Sequence, residues 1–230
     1  MKQAEVVIIG GGPAGLCAAV SAAKSGSKVL IIDKNKKLGG QLIKQTHMFF
    51  GSEKQYASKR GIDIPEILID ELFKYKENVE ISTEATVVGM YEDGIITVLE
   101  KEDNYYKIEP KAVVVATGAY EKFLSFPNND LPGIYGAGAV QTLMNVYGIK
   151  PGTRVLMVGA GNIGLIVSYQ LMQAGVEVKA ILDAAPKIGG YLVHASKIRR
   201  MGVPILTSHT VKEAIGNEFL EKAVICKVDE

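Results

Sequence analysis

A strand-length apolar run, Val6-Val7-Ile8-Ile9, breaks at once into Gly10-Gly11-Gly12-Pro13-Ala14-Gly15 and then into a helix-forming segment. Few junctions constrain a fold as tightly, because in a strand–turn–helix each glycine at G-x-G-x-x-G spacing has a use. Gly10 suits the tight turn, Gly12 removes a side chain where a pyrophosphate approaches the main chain, and Gly15 lets helix and strand pack closely. Pro13 and Ala14 open the helix, whose first N–H groups and positive dipole end attract phosphate. Asp33 lies 18 residues beyond Gly15, after Val29-Leu30-Ile31-Ile32, where a carboxylate can accept hydrogen bonds from a ribose diol. The pattern predicts a βαβ dinucleotide unit; the plainer alternative is a Rossmann-like turn that holds no phosphate.

The pattern returns. Arg154-Val155-Leu156-Met157-Val158 runs into Gly159-Ala160-Gly161-Asn162-Ile163-Gly164, and Asp183 follows 19 residues beyond Gly164. Lys37-Leu38-Gly39-Gly40-Gln41-Leu42 is echoed by Lys187-Ile188-Gly189-Gly190-Tyr191-Leu192. The offsets are 149 residues for the first glycines (10 to 159), 150 for the acids (33 to 183) and 150 for the glycine pairs (39 to 189). Such constancy indicates a duplicated unit. Either one copy is an inert scaffold or the chain carries two dinucleotide sites, each with phosphate glycines and a ribose carboxylate.

Composition narrows the chemistry. In 230 residues, 47% apolar and 22% charged, the formal net charge is +1, so nothing favours nucleic acid or an anionic membrane surface. The apolar stretches 6–20 and 155–176 imitate a signal peptide and a membrane span. Glu5 and the glycines at 159, 161 and 164 break those readings, and a soluble cytoplasmic protein is expected. Cys17 and Cys226 form no Cys-x-x-Cys, which removes a redox dithiol and a cysteine zinc site; both read as small buried residues.

The coarse order is strand 4–9, helix 13–25, strand 28–32, a short helix plus a long polar and aromatic loop over 39–60, helix 65–76 and strand 79–82. Segments 85–91, 94–101 and 105–109 alternate and read as a small antiparallel meander; 112–118 reads as a separate buried strand ending at Thr117-Gly118. A linker spans 121–135, followed by helix 137–147, the second βαβ, helix 191–201 and strands 203–206, 210–215 and 220–228. The expected fold class is α/β: two Rossmann-like three-layer dinucleotide-binding domains, residues 1–122 and 123–230, the first carrying the meander. Lys197, Arg199 and Arg200 near a helix end suit the dipole there better than a phosphate.

No nucleophilic triad, paired-carboxylate arrangement or metal-ligand cluster is visible, so no metal is expected. His47, His194 and His209 are scattered. His47, in the loop after the first unit, is the best catalytic candidate among them, although a structural role suits all three. Any redox reaction would fall to a bound cofactor.

Taken together, Gly10 to Gly15, Asp33, Gly39-Gly40-Gln41, Ala116-Thr117-Gly118-Ala119 and Gly159 to Gly164 resemble the two-dinucleotide-binding flavoproteins of the pyridine nucleotide–disulfide oxidoreductase type. Leu131-Pro132-Gly133-Ile134, Gly136 to Leu143 and Pro151-Gly152-Thr153-Arg154-Val155 are similar to the α chains of sarcosine oxidases, dye-linked proline dehydrogenases, opine oxidases and hydrogen cyanide synthase subunits. The resemblance implies FAD at the first fingerprint, held by Gly10, Gly12, Pro13, Ala14, Gly15, Asp33, Lys34, Gly40 and Gln41, with Ala116, Thr117 and Gly118 near the flavin. It implies NAD(H) at Gly159, Gly161, Asn162, Ile163 and Gly164, where Asp183 disfavours the 2′-phosphate of NADP.

By the same resemblance the chain is an FAD-dependent oxidoreductase, one component of an amine or amino-acid dehydrogenase or oxidase complex, in a hetero- or homo-oligomer. It lacks the reductase cysteine pair, and no counterpart is found for the family's segment that returns to the flavin domain. The FAD domain therefore reads as incomplete at its C-terminal side. The alternative is a truncated, non-catalytic module for nucleotide binding or for assembly of subunits.

Overall fold

The structure, a computed structural model, describes residues 2–228. The chain divides between Tyr120 and Glu121 into two compact units.

In the first unit β1 (Lys2–Ile9), β2 (Val29–Asp33) and β3 (Val79–Thr83) are parallel, joined through helices α1 (Pro13–Lys24) and α2 (Ile64–Phe73). The strands β4 (Ala85–Met90), β5 (Ile96–Glu100) and β6 (Asn104–Val115) complete one six-stranded sheet, ordered β3-β2-β1-β6-β5-β4. The period-2 geometry of a strand splits β1 and β2 between two cores. Ile8 and Ile31 pack with Leu16, Ala19, Ala23, Leu68 and Leu72 of the helices. Val7, Leu30 and Ile32 face the other way, onto Ala85, Ile96, Val98 and Ile108. Both faces are thereby covered, which is why these strands read as continuous apolar runs.

Two expectations are corrected here. The segments 105–109 and 112–118 are not separate strands. Their junction lies inside β6, which pairs antiparallel with β5 from Asn104 to Ile108 and parallel with β1 from Ile108 to Val115. Pro110 lacks an N–H, but the pairs with β1 on either side of it carry the strand through. The end of β6 is also not buried: Val115 is 62% exposed. Pairing with β5 stops at Ile108, so from there on β6 has β1 on one side only.

The segment 39–60 contains two 3-10 turns, Gly40–Lys44 and Glu53–Gln55, and a third, Gly61–Asp63, follows it. Cys17 is exposed rather than buried, because the core-facing stripe of α1 is formed by Gly15, Leu16, Ala19 and Ala23; Cys226 is half-buried.

The second unit repeats the scheme with fewer strands. A parallel sheet β7-β8-β9 (Arg154–Val158, Glu177–Asp183, Ile205–Thr207) is connected through α4 (Asn162–Gln173) and α5 (Leu192–Arg200). Helix α3 (Ala137–Asn145) precedes it and a hairpin, β10 (His209–Gly216) with β11 (Leu220–Lys227), follows. Met157, Leu165, Leu171, Val178, Ile181 and Ile198 form its core. The segment before α3 is held by side chains: Glu121 accepts from the amides of Ala137 (2.8 Å) and Gly138 (3.1 Å), and Asn128 Nδ2 donates to Ala214 O at 2.8 Å. Basic residues close α5 as expected, and Lys197 Nζ also sits 4.3 Å from the centre of the Tyr169 ring. Among the described residues no helix is long and apolar enough to cross a membrane.

Candidate functional site

The first fingerprint turn joins β1 to α1. Gly10 has φ +103°, a conformation that strains any side chain, and its N–H donates to Ile32 O at 2.8 Å. A Cβ on Gly15 would stand 1.8 Å from Gly10 O, so only glycine lets the helix approach the strand. Gly12 is the N-cap of α1 and Pro13 opens the helix. Leu16 N–H closes the first helical bond, to Gly12 O. The N–H groups of Gly12, Ala14 and Gly15 therefore remain for an anion, among the described residues.

Asp33, at the end of β2 and only 5% exposed, clamps this turn. Its Oδ2 accepts the Gly11 N–H at 2.6 Å, and its Oδ1 accepts the main-chain and side-chain amides of Asn35 at 2.8 and 2.9 Å. Lys34 lies exposed beside it. Gly39 N–H donates to Gly11 O at 2.8 Å, bringing the glycine pair onto the turn. A Cβ on Gly40 would be 2.8 Å from Gly12 Cα; two bare main chains thus line a narrow groove, and Gln41 follows at once in the turn Gly40–Lys44. On the other side Ala116 N–H donates to Ile9 O at 2.8 Å, leading Thr117 and Gly118 away from the same sheet edge. Structure thus gathers the residues singled out in this half around one turn, His47 excepted. The His47 ring stacks on Phe49 with centroids 5.4 Å apart, and its carbonyl accepts from Gly61 N–H within the loop.

The second turn reproduces the first. Gly159 has φ +101°, its N–H donates to Leu182 O at 2.7 Å, and a Cβ on Gly164 would lie 1.9 Å from Gly159 O. Gly161 caps α4 and Leu165 N–H bonds to Gly161 O. The N–H groups of Gly161, Ile163 and Gly164 again point onward without a main-chain acceptor, among the described residues. Asp183 Oδ2 accepts the Ala160 N–H at 2.7 Å and its Oδ1 the Ala185 N–H at 2.9 Å. Asn162 differs from Pro13 in carrying a polar side chain, and its Oδ1 accepts the Tyr191 N–H at 2.8 Å.

Sequence reading missed Gly11, Ala160, Asn35 and Ala185, the partners of the two carboxylates. The signal was available only in part: an amide two residues after an Asp is a common Asx-turn donor. The register of the glycine pairs is also one residue off the sequence match. Gly190, not Gly189, donates to Ala160 O (2.9 Å) as Gly39 does to Gly11 O.

Two β–turn–α cradles, each with unpaired amides at a helix start and a carboxylate on the next strand, define a protein with two Rossmann-type dinucleotide folds. Residues 4–229 match the pyridine nucleotide-disulphide oxidoreductase family, and the chain belongs to that family. It is 30% identical over 198 residues to the alpha chain of sarcosine oxidase from Rhizobium meliloti, covering 80% of this chain and 19% of that protein. It is 30% identical over 202 residues to an opine oxidase component from Agrobacterium tumefaciens, covering 83% of this chain and 39% of that one. L-proline dehydrogenase from P. horikoshii superposes with a TM-score of 0.69 at 26% identity, over 99% of this chain and 40% of that chain. The chain thus spans well under half the length of these relatives. It carries no cysteine pair of the disulfide-reducing type, since its two cysteines stand at 17 and 226.

Proposed function

We propose that residues 1–122 bind FAD and residues 123–230 bind NAD(H), in one component of a complex that oxidises an amine or amino acid. The observation that carries this is the repeated clamp: Asp33 on Gly11 and Asp183 on Ala160, each beside free helix-start amides. The residues fit the groups. The amides of Gly12, Ala14 and Gly15 would hold the FAD pyrophosphate, with Gly40 leaving it room, while Asp33 would take the ribose diol and Thr117 and Gly118 the flavin side. Those of Gly161, Ile163 and Gly164 would hold the nicotinamide dinucleotide, and Asp183 would repel a 2′-phosphate. When bound, the two coenzymes supply hydride exchange, which no side chain of this chain can perform. The relatives' names, sarcosine oxidase, opine oxidase and proline dehydrogenase, support an amine or amino-acid substrate and a multi-subunit setting. A cytoplasmic location accords with this reading.

Purified protein is expected to be yellow, or to become so with added FAD, and NADH without oxygen is expected to bleach it. A colourless protein that takes up no FAD overturns the reading. The open edge of β6 beyond Ile108 favours a second one, a nucleotide-binding or assembly module without turnover. Calorimetric binding of NADH with no change in flavin absorbance would select it.

A further inference from the structure

The two clamping acids are not equally free. Asp33 Oδ2 accepts the Gly11 N–H at 2.6 Å, and its Oδ1 accepts both the main-chain N–H and the Nδ2 of Asn35, at 2.8 and 2.9 Å. A carboxylate offers about four lone-pair positions, two on each oxygen. Asp33 therefore has Oδ1 filled by Asn35 and one position left, on Oδ2. Asp183 Oδ2 accepts the Ala160 N–H at 2.7 Å and its Oδ1 the Ala185 N–H at 2.9 Å, so among the described residues each oxygen keeps one position. The difference lies in one side chain. Asn35 and Ala185 each stand two residues after the acid and donate the same main-chain bond, but alanine has no amide to add. Exposure agrees: Asp33 is buried, at 5%, whereas Asp183 is half-buried.

A vicinal diol that meets a carboxylate with one hydroxyl on each oxygen needs a free position on both. Asp183 has that arrangement; Asp33 gains it only when Asn35 Nδ2 lets go. We propose, resting on the assignment of FAD to the first cradle, that the Asn35 side chain stands in for a ribose hydroxyl on Asp33 and is displaced when the dinucleotide's diol is taken up. Asn35 thereby sets the affinity of this cradle and its response to the ribose hydroxyls. The movement is confined to one side chain. Asn35 is exposed, so its amide turns into water, and its main chain stays anchored because Asn35 O accepts the Glu84 N–H at 3.1 Å. Facing a carboxylate, the amide can only donate, and hydrogen bonds to a charged acceptor are the strong ones. Its release opposes every ligand that uses both hydroxyls. A ligand with one hydroxyl is spared, because the remaining position on Oδ2 suffices for it.

The test is quenching of flavin fluorescence by the full chain, with FAD and with an FAD analogue whose adenosine carries 2′-deoxyribose. Asn35→Ala is expected to tighten FAD about fivefold or more and to leave the deoxy analogue within about twofold of the parent. A general loosening of the turn would shift both ligands together, so the ratio of the two affinities isolates the hydroxyls. FAD affinity unchanged or weakened by Asn35→Ala, or equal shifts of both ligands, overturns the proposal and leaves the cofactor assignment standing. Failure of parent and variant alike to bind FAD overturns the cofactor assignment and the proposal together.

Discussion

The amide of Gly11 donates to Asp33 Oδ2 at 2.6 Å, so the carboxylate proposed to meet a ribose already fixes the turn proposed to meet a phosphate. Asp183 stands in the same relation to Ala160, at 2.7 Å. Each acid has a structural duty besides its ligand. Asp33→Ala leaves a buried N–H without an acceptor and is expected to lower the stability of the first unit by about 1–3 kcal/mol as well as abolish tight FAD uptake. Denaturant melts of protein without flavin separate the two effects; an unchanged melt would show that the clamp contributes nothing.

Gly15→Ala and Gly164→Ala place a methyl within 2 Å of a carbonyl oxygen, as their 1.8 and 1.9 Å separations show. Each is expected to cost about 1–3 kcal/mol, through displacement of the helix start. Thermal unfolding measures it, and Gly26→Ala serves as a comparison, strained by its φ of +87° but with nothing within 4 Å.

Asp183 should set coenzyme preference. NADPH is expected to bind at least about tenfold more weakly than NADH, since a carboxylate beside the ribose faces the added phosphate. Asp183→Ser should narrow the ratio, read by fluorescence titration.

Burial, reinforced by the charge of Lys197, holds the His194 imidazole below its ordinary 6.5. The unfolded chain then binds more protons than the folded one below that pH. Neutral His194 contributes full stability above 6.5, and this is lost as the pH falls through the depressed folded value. Midpoints of unfolding should drop more steeply with acid in the parent chain than in His194→Gln.

Cys17 is exposed on α1 while Cys226 is half-buried in β11. Ellman's reagent should therefore titrate one thiol quickly in folded protein and the second slowly, with Cys17→Ser removing the fast phase.

Much of this was legible from residues alone because glycines and acids at fixed spacing report backbone geometry directly. The turn at Gly10, its echo at Gly159 and the clamping acids all occupy the β–turn–α units that the spacing predicts. Long-range pairing was not legible. Segments 105–109 and 112–118 read as separate because alternation is a local property, whereas the continuity of β6 is decided by β1, more than a hundred residues away in sequence. The apolar run Ala112 to Val115 implied burial on both faces, but burial depends on a neighbouring strand that its own residues do not encode. His47 drew notice by its position in a loop, and that loop folds onto itself.

One strand serving two ladders also ties fates together. Since β6 belongs to β5 through its first half and to β1 through its second, the antiparallel strands and the fingerprint layer are joined through one strand. Their joining closes a chain loop that reaches from Lys2 to Ile108, an entropic cost that a local hairpin does not carry. A nick in the exposed turn between β5 and β6 would thus loosen the fingerprint from a distance, with no ligand-binding atom touched.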